Sequence, residues 1–471
     1  MGLTIANNVS SLTAQNNLTR SNSALKQSLE RLSSGFKINR GADGPAALVI
    51  SEKQRAQIAG LETAIGNTER AVSLVQTAEG ALNEINNLLI KIRSLALDSA
   101  NEGVNDQDAL NANQAEIDNA IDTINRISEN TQFTTKKLLN GDSGIKGTPS
   151  LSEVTFLQAT SETSAGTYTL SVSTPGERAT ISAGTDQTGN LAADETLTIN
   201  GVTVELFAGM TQAQVIDRVN QFTPQTGAVA ELDGTTTRLY SASYGSAAGI
   251  QVVSNTAGSA TSSGFGGALT TDAGVDIQVS VDGTVYTGQG DVVTVDSGIA
   301  KGLSLSFAVD PADATRTTSG GQGNVTVADN SLVFQIGPNQ NQTAKVAVTK
   351  AHSASLGLGV AGNQFNNLSE IEVSNETKAQ DSLSIIDAAV DDITNMRGAL
   401  GAFQSNTLEA TSNNLRATLE NSVNANSVIR DTDFAAEIAE FTKQQVLMQA
   451  GSTVLGNANQ IPQLVLGLLG G

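Results

Sequence analysis

The sequence predicts an α+β multidomain protein: long α-helical coiled-coil arms from both chain ends, with a mostly β (α+β) inserted outer region. Three observations carry this. Residues 1–140 and about 361–471 place apolar side chains at heptad-like spacing. Residues about 141–360 switch to Thr, Ser, Gly and Val with period-two alternation. The two extremities, residues 1–19 and Gln444–Gly471, hold no Lys, Arg, Asp or Glu, in a chain whose formal net charge is -21. A helix–β–helix order means that the middle is inserted between arms that meet in space.

Composition narrows the function. The chain has 471 residues, 39% of them hydrophobic, with no Trp and no Cys. Burial must come from Leu, Ile, Val and Ala, which suits helix seams better than a bulky core. Without Cys there are no disulfides, thiolate metal sites or Cys nucleophiles. The single histidine, His352, leaves no His-Glu-x-x-His pair to hold zinc. No catalytic residue, cofactor or metal is expected, and the chain reads as a non-enzyme. The acidic balance lacks a basic patch for nucleic acid. The opening residues have no basic segment and no continuous apolar run, so no secretory signal peptide is expected. The apolar tail is interrupted by Gln449, Ser452, Asn457, Asn459, Gln460 and Pro462, so membrane insertion is not expected either.

Taken in order, Ile5, Val9 and Leu12 form a stripe that continues through Leu18, Leu25, Leu29, Leu32 and Phe36. Gly41-Ala-Asp-Gly-Pro45 breaks the arm, with Asp43 an expected N-cap and Pro45 in the next first turn. Ile58, Leu61, Ile65, Val72, Val75 and Leu82 follow. The stripe then passes to Ile85, Leu89, Ile92 and Leu95 with a phase shift that reads as a stutter. Asn101–Gly103 ends that helix, and Asn105 is expected to cap the next. In the middle, Asn200-Gly201 and Asp282-Gly283 sit between β-prone segments, the signature of type I′ hairpins. A helix is expected from Thr211 to Phe222, with Thr211 and Gln214 as its capping box. Gly264–Gly267 and Gly320–Gly323 read as connections.

The C-terminal arm carries Leu383, Ile386, Val390, Ile393 and Leu400, then Leu408, Leu415, Leu419 and Val423. Beyond it, Phe434, Ile438, Phe441, Met448 and Leu455 form one apolar face of a helix. Val454, Ala458, Ile461, Val465 and Leu468, with Leu464 beside them, form a second. A helix with two apolar faces needs more neighbours than its own chain supplies, so other copies must cover one of them. The step at Pro462 suggests a different course for the last nine residues. The ends are expected to be largely disordered alone and to order on assembly.

Several blocks resemble bacterial flagellins in the family's order. They are RLSSGFKINRGADGPAALVISEKQR at 31–55, QTAEGALNEI at 76–85, IRSLALDSAN at 92–101 and NTQFTTKKLLNG at 130–141. The far end, ANSVIRDTDFAAEIAEFTKQQVLMQAGSTVLGNANQ at 425–460, is similar to the flagellin C-terminal region. Leu332–Gly337 resembles the strand leading into the C-terminal arm. Leu197–Asn255 is similar to a repeat carried in the variable part of flagellins and hook-associated proteins. Asp43-Gly44 stands where many flagellins have two Asp, and Ala47 where many have Gly.

The resemblance implies a subunit exported without a cleaved signal peptide, which polymerises outside the cell into the helical flagellar filament for swimming. It implies a division into 1–42, the N-terminal half of an inner-tube domain; 43–175, the N-terminal arm with a β-hairpin region; 176–330, a variable outer region; 331–424, a returning strand and C-terminal arm; and 425–471, the C-terminal half of the inner-tube domain. Implied partners are other copies of the subunit, an export chaperone, and cap and hook–filament junction proteins. Lys91, Leu95 and Glu116 align with the surface that vertebrate innate immune receptors read in many flagellins. Lys91 replaces an Arg there, and Ile90 and Ser94 depart. Two alternatives share the architecture: a hook–filament junction protein, and a filament whose outer region is mainly a surface adhesin.

Overall fold

A computed structural model describes residues 8–101, 103 and 105–469, with the backbone alone for 461–469. The chain forms two compact units. The first holds residues up to Glu69, Gln335–Gln342 and the chain from Ala410 onward. The second holds Arg70–Phe334 and Thr343–Glu409.

The helices are α1 (Val9–Ser34), α2 (Pro45–Ser99), α3 (Gln107–Asn130), α4 (Gln212–Asn220), α5 (Thr223–Thr226), α6 (Glu376–Ala402), α7 (Ala410–Arg430) and α8 (Phe434–Leu469). The expected caps shift by a residue or more. Asp43 does not cap α2; its carboxylate accepts from the Asn39 and Arg40 amides and closes the short turn Gly41–Asp43. Asp106, not Asn105, caps α3 by accepting from the Ala109 amide at 2.9 Å. The Asn105 side chain donates to the Asp98 carbonyl instead. The capping box of Thr211 and Gln214 forms as expected on α4.

Helix α2 shows why the stutter reading was wrong. From Leu61 onward its buried seam runs Leu61, Ala64, Thr68, Ala71, Val75, Ala78, Leu82, Ile85, Leu89, Ile92, Ala96 and Ser99, with Leu74 also buried beside it. The seam positions step by three and four in strict alternation, so the heptad is unbroken. Half of these residues are small, which hides them from a search for large apolar side chains. Ile58, Ile65, Val72 and Leu95 are only half-buried beside the seam. In the first unit Leu61 and Ala64 pack with Leu415, and Ile65 and Leu419 lie against them. In the second, α2 is tied to α3 by Lys91 and Glu116 at 2.5 Å, and to α6 by Arg93 and Asp387 at 2.6 Å. Ile117 and Ile124 of α3, and Ile386, Ala389 and Ile393 of α6, are buried in that unit.

On α6 the seam passes through Ser382 and Ala389, while Leu383 and Val390 are half-buried flanks. Between Leu400 and Leu408 the spacing is eight residues rather than seven. A stretch of π-helix, Phe403–Glu409, lies there, and its wider turn absorbs the extra residue. Leu408 and Leu415 are thereby both buried. Val423, expected on the stripe, is exposed.

The β region of the second unit has two cores. In one, a five-stranded antiparallel sheet runs in the order Thr284–Thr287, Gln278–Val281, Gly166–Thr174, Gly320–Asp329, Ile145–Pro149. It shares a core with the sheet of Val292–Thr294, Ser304–Phe307 and Val154–Gln158; Tyr168, Val279, Leu305 and Phe307 sit inside. In the other, α4 contributes Val215 and Val219 to a core with Leu197, Val204, Leu239 and Val252 from two further sheets. Both expected hairpins form. Asn200 and Gly201 have φ of 48° and 85°, and Asp282 and Gly283 have 48° and 86°, the left-handed pair that a type I′ turn requires. Gly320–Gly323 is not a connection: it lies within the strand Gly320–Asp329, whose register shifts between Gly321 and Asn324. Leu332–Gln335 pairs with Thr343–Val346 rather than leading directly into α6.

Leu82 is fully buried in the α2 seam. Leu82→Ala is expected to destabilise the second unit by about 2–5 kcal/mol. Urea unfolding followed by circular dichroism would show this, while the half-buried Val72→Ala should cost clearly less.

Candidate polymerisation surface

In the first unit the two chain ends form an antiparallel pair. Asn8 caps α1, its side chain accepting from the Ser11 amide, while its Nδ2 donates to the Ala458 carbonyl at 2.8 Å. The Ser11 hydroxyl donates to Asn459 Oδ1 at 2.6 Å. Gly451 lies against Leu18: a Cβ built there would stand 3.5 Å from its Cδ1. Arg31 and Glu437 form an ion pair at 3.6 Å. Gly35 ends α1 with φ of 77°, its amide donating to the Arg31 carbonyl and its carbonyl accepting from the Thr432 amide. Lys37 N donates to the Arg430 carbonyl, and the Arg430 guanidinium stacks on Phe36 at 4.5 Å and pairs with Glu52 at 2.9 Å.

The seam of this pair keeps a heptad. On α1 it runs through Asn8, Ser11, Ala14, Leu18, Ser21, Leu25, Ser28 and Leu32; on α8 through Glu437, Phe441, Gln444, Met448, Gly451, Leu455 and Ala458. Much of it is small or polar. Among the described side chains of α1 and α8, only Ala14, Ser28 and Ala458 are fully buried.

The expected stripes are therefore regrouped. Phe441, Met448 and Leu455 are on the seam, but Phe434 and Ile438, assigned to the same face, are each 53% exposed. Ala458 joins the seam, whereas Val454, placed with it, points outward. Val9, 65% exposed, and Leu12 separate from Leu18 in the same way. Leu29, Val446 and Leu447 extend the outward set; sequence reasoning assigned Leu29 to the inner stripe and passed over the other two. A heptad count that admits Ser, Ala and Gly would have found this split. Ile5 lies outside the described residues. The backbone at Ile461, Leu464 and Leu468 is helical, and α8 runs through Pro462 without the expected change of course.

Of the arm residues, Leu61, Val75, Leu82, Ile393 and Leu415 are buried, while Ile58, Ile65 and Val72 are half-buried. Lys91 and Glu116 form their ion pair on the surface, each about half exposed, with Leu95 half-buried one turn from Lys91. No group of His, Asp or Glu among the described residues is arranged to hold a metal ion, and none of their helices is long and apolar enough to cross a membrane.

Paired chain ends whose helices leave large apolar side chains exposed fit a subunit of a self-assembling polymer. Residues 5–143 match the bacterial flagellin N-terminal helical region and residues 383–469 the bacterial flagellin C-terminal helical region. Over the whole of both chains, this one is 33% identical to the flagellin of Salmonella rubislaw, to the flagellin of Salmonella typhimurium strain LT2 and to the B-type flagellin of Pseudomonas aeruginosa strain PAO1. The chain belongs to the flagellin family and is a structural subunit of the extracellular flagellar filament. The junction-protein and adhesin alternatives are not favoured.

Placing a charge on the outward face, as Ile438→Glu, is expected to block filament growth while leaving monomer secondary structure intact. Sedimentation with circular dichroism of the supernatant tests this. Thr284→Glu, an exposed polar position in the β region, should polymerise more readily than Ile438→Glu.

Proposed function

We propose that this flagellin polymerises with further copies of itself by burying the exposed apolar set of α1 and α8: Val9, Leu12, Ile438, Val446, Leu447 and Val454, with the half-exposed Phe434 at the edge beside Gly35. Their exposure in the isolated chain, on two helices whose other faces meet, is the observation that supports the reading. Ile5, Ile461, Leu464 and Leu468 extend the same ends. The five-part division at 42, 175, 330 and 424 expresses the same scheme, with the inner-tube halves at the two ends of the chain.

The ends order as copies are added. Fixing one residue costs roughly 1–2 kcal/mol of backbone entropy. The seam recovers only part of that by burial, because its large apolar residues are no more than half-buried and the rest are Asn, Ser, Gly and Ala, while apolar area returns only about 25 cal/mol per Å². The outward set supplies the rest once another copy covers it.

The protein's role is structural. An export chaperone, the cap and the hook–filament junction proteins are its flagellar partners. Lys91, Leu95 and Glu116 form the contact for a vertebrate innate immune receptor. The Lys91–Glu116 pair supports this by holding both charged groups at the surface within one unit. Lys offers a point charge in place of a bidentate fork, so recognition is weaker than with Arg.

Hydrogen exchange tests the ordering step. Amides of residues 9–30 and 440–460 should exchange quickly in dilute monomer and become protected by at least about a hundredfold in filaments. Slow exchange in the dilute monomer contradicts the reading. For the receptor contact, Lys91→Arg should raise the response of a receptor reporter cell line to purified monomer, and Glu116→Ala should lower it. No change in either variant would remove these residues from the contact.

A further inference from the structure

Between the strand Thr343–Val346 and α6 the chain makes an irregular loop from Leu356 to Glu370, inside the second unit. From Leu356 to Ser369 it carries no charge and is rich in amides: Asn363, Gln364, Asn366 and Asn367. Leu356, Phe365 and Leu368 are buried, as are Asn363, Asn366 and Asn367. A buried loop without regular structure must find partners for its polar groups elsewhere. It closes on itself through the Leu368 amide and the Leu356 carbonyl at 2.9 Å.

Carboxylates supply the rest. Asp392 on α6 accepts the Gly357 amide at 2.9 Å. Gly357 has φ of 71°, and a Cβ there would stand 2.7 Å from the Ile385 carbonyl oxygen, so the loop backbone touches the helix directly. Asp381, one α6 segment earlier, accepts Gln364 Nε2 at 2.6 Å, and its main-chain carbonyl accepts Asn363 Nδ2 at 2.7 Å. From the sheet side, Asp291 Oδ1 accepts Asn366 Nδ2 at 2.7 Å and Oδ2 accepts the Ser306 hydroxyl at 2.9 Å. Gln289 Nε2 donates to the Asn363 carbonyl at 2.8 Å. Glu370, on the loop and exposed, accepts the Asn366 amide and Asn367 Nδ2.

We propose that the loop Leu356–Glu370 is a proton-operated clasp, which holds α6 against the sheet of Val292–Thr294 and Ser304–Phe307 more tightly in acid than at neutral pH. The three aspartates that fasten it are half-buried, and among the described residues they form no ion pair. The charged groups facing them are Asp391 beside Asp392, Glu370 beside Asp291, the paired Lys378 and Glu372 lining the same cavity as Asp381, and Arg178, which acts on Asp291 in the opposite sense. Burial raises the carboxyls of Asp291 and Asp381, and it raises that of Asp392 to about 6, with the like charge of Asp391 adding to it.

The sign follows. Asp392 binds its proton more tightly when the clasp is closed than when it is open, where the ordinary value of 3.8 applies. Closure is therefore favoured fully below the open value, and the advantage is lost as pH rises toward about 6. For Asp392 alone, opening becomes about tenfold easier between pH 5.0 and pH 7.5.

Hydrogen exchange of the full-length monomer, corrected for the intrinsic pH dependence of exchange, reads the clasp directly. Protection of the amides of Gly357, Asn366 and Leu368 should fall by about tenfold or more from pH 5.0 to pH 7.5. Protection of Leu82–Ile92 in the α2 seam should stay constant. Asp392→Asn, which mimics the protonated side chain, should hold Gly357 at its acid protection at both pH values; Asp391→Asn should not. Equal protection of the wild-type loop at the two pH values overturns the proposal without reference to any variant. So does a fall shared equally by the α2 seam.

Discussion

Everything in this chain turns on apolar surface that a single copy cannot cover. The seam between α1 and α8 alternates large apolar residues such as Leu18, Leu25, Phe441 and Leu455 with small or polar ones, Ser11, Ala14, Ser28, Gly451 and Ala458. Other large apolar side chains, Val9, Leu12, Ile438 and Val446 among them, are left exposed. A soluble monomer would normally hide such a set or lack it. On the proposed reading the exposed set is what further copies cover.

The arms solve a different problem with the same period. Helix α2 keeps one heptad phase from Leu61 to Ser99, and its small residues let neighbouring helices pack closely. Between Leu400 and Leu408 the π-helical stretch Phe403–Glu409 takes up the eighth residue of the spacing. Large apolar side chains alone gave a misleading seam, since Ile65, Val72 and Leu95 flank it and Ala64, Ala71 and Ala78 form it. The helical arms were legible because period survives in a single sequence. The seam's membership was not, because Ala and Ser carry little hydrophobic signal.

The same contrast runs through the middle. Asn200-Gly201 and Asp282-Gly283 announced their hairpins, because positive φ at two successive residues leaves few other choices of side chain. The order of strands did not show. Gly166–Thr174 pairs with Gln278–Val281 and with Gly320–Asp329, more than a hundred residues away, and local pattern holds no record of such partners. Cap assignments failed where two acidic or amide residues stood close together, as at Asn105 and Asp106. Of the polymerisation surface, the existence of two apolar faces on the C-terminal helix was legible from the absence of charge. Which residue belongs to which face was not, because the division depends on where α1 lies against α8.

The absence of cysteine makes the central claim directly measurable. Single-cysteine variants at Val446 and Val454, on the outward set, and at Thr284, an exposed control in the β region, can be treated with a maleimide as monomers and as filaments. Val446→Cys and Val454→Cys should label rapidly in the monomer and become strongly protected in the filament, more so than Thr284→Cys. Labelling of both outward positions in filaments at the monomer rate would show that other copies do not cover this face.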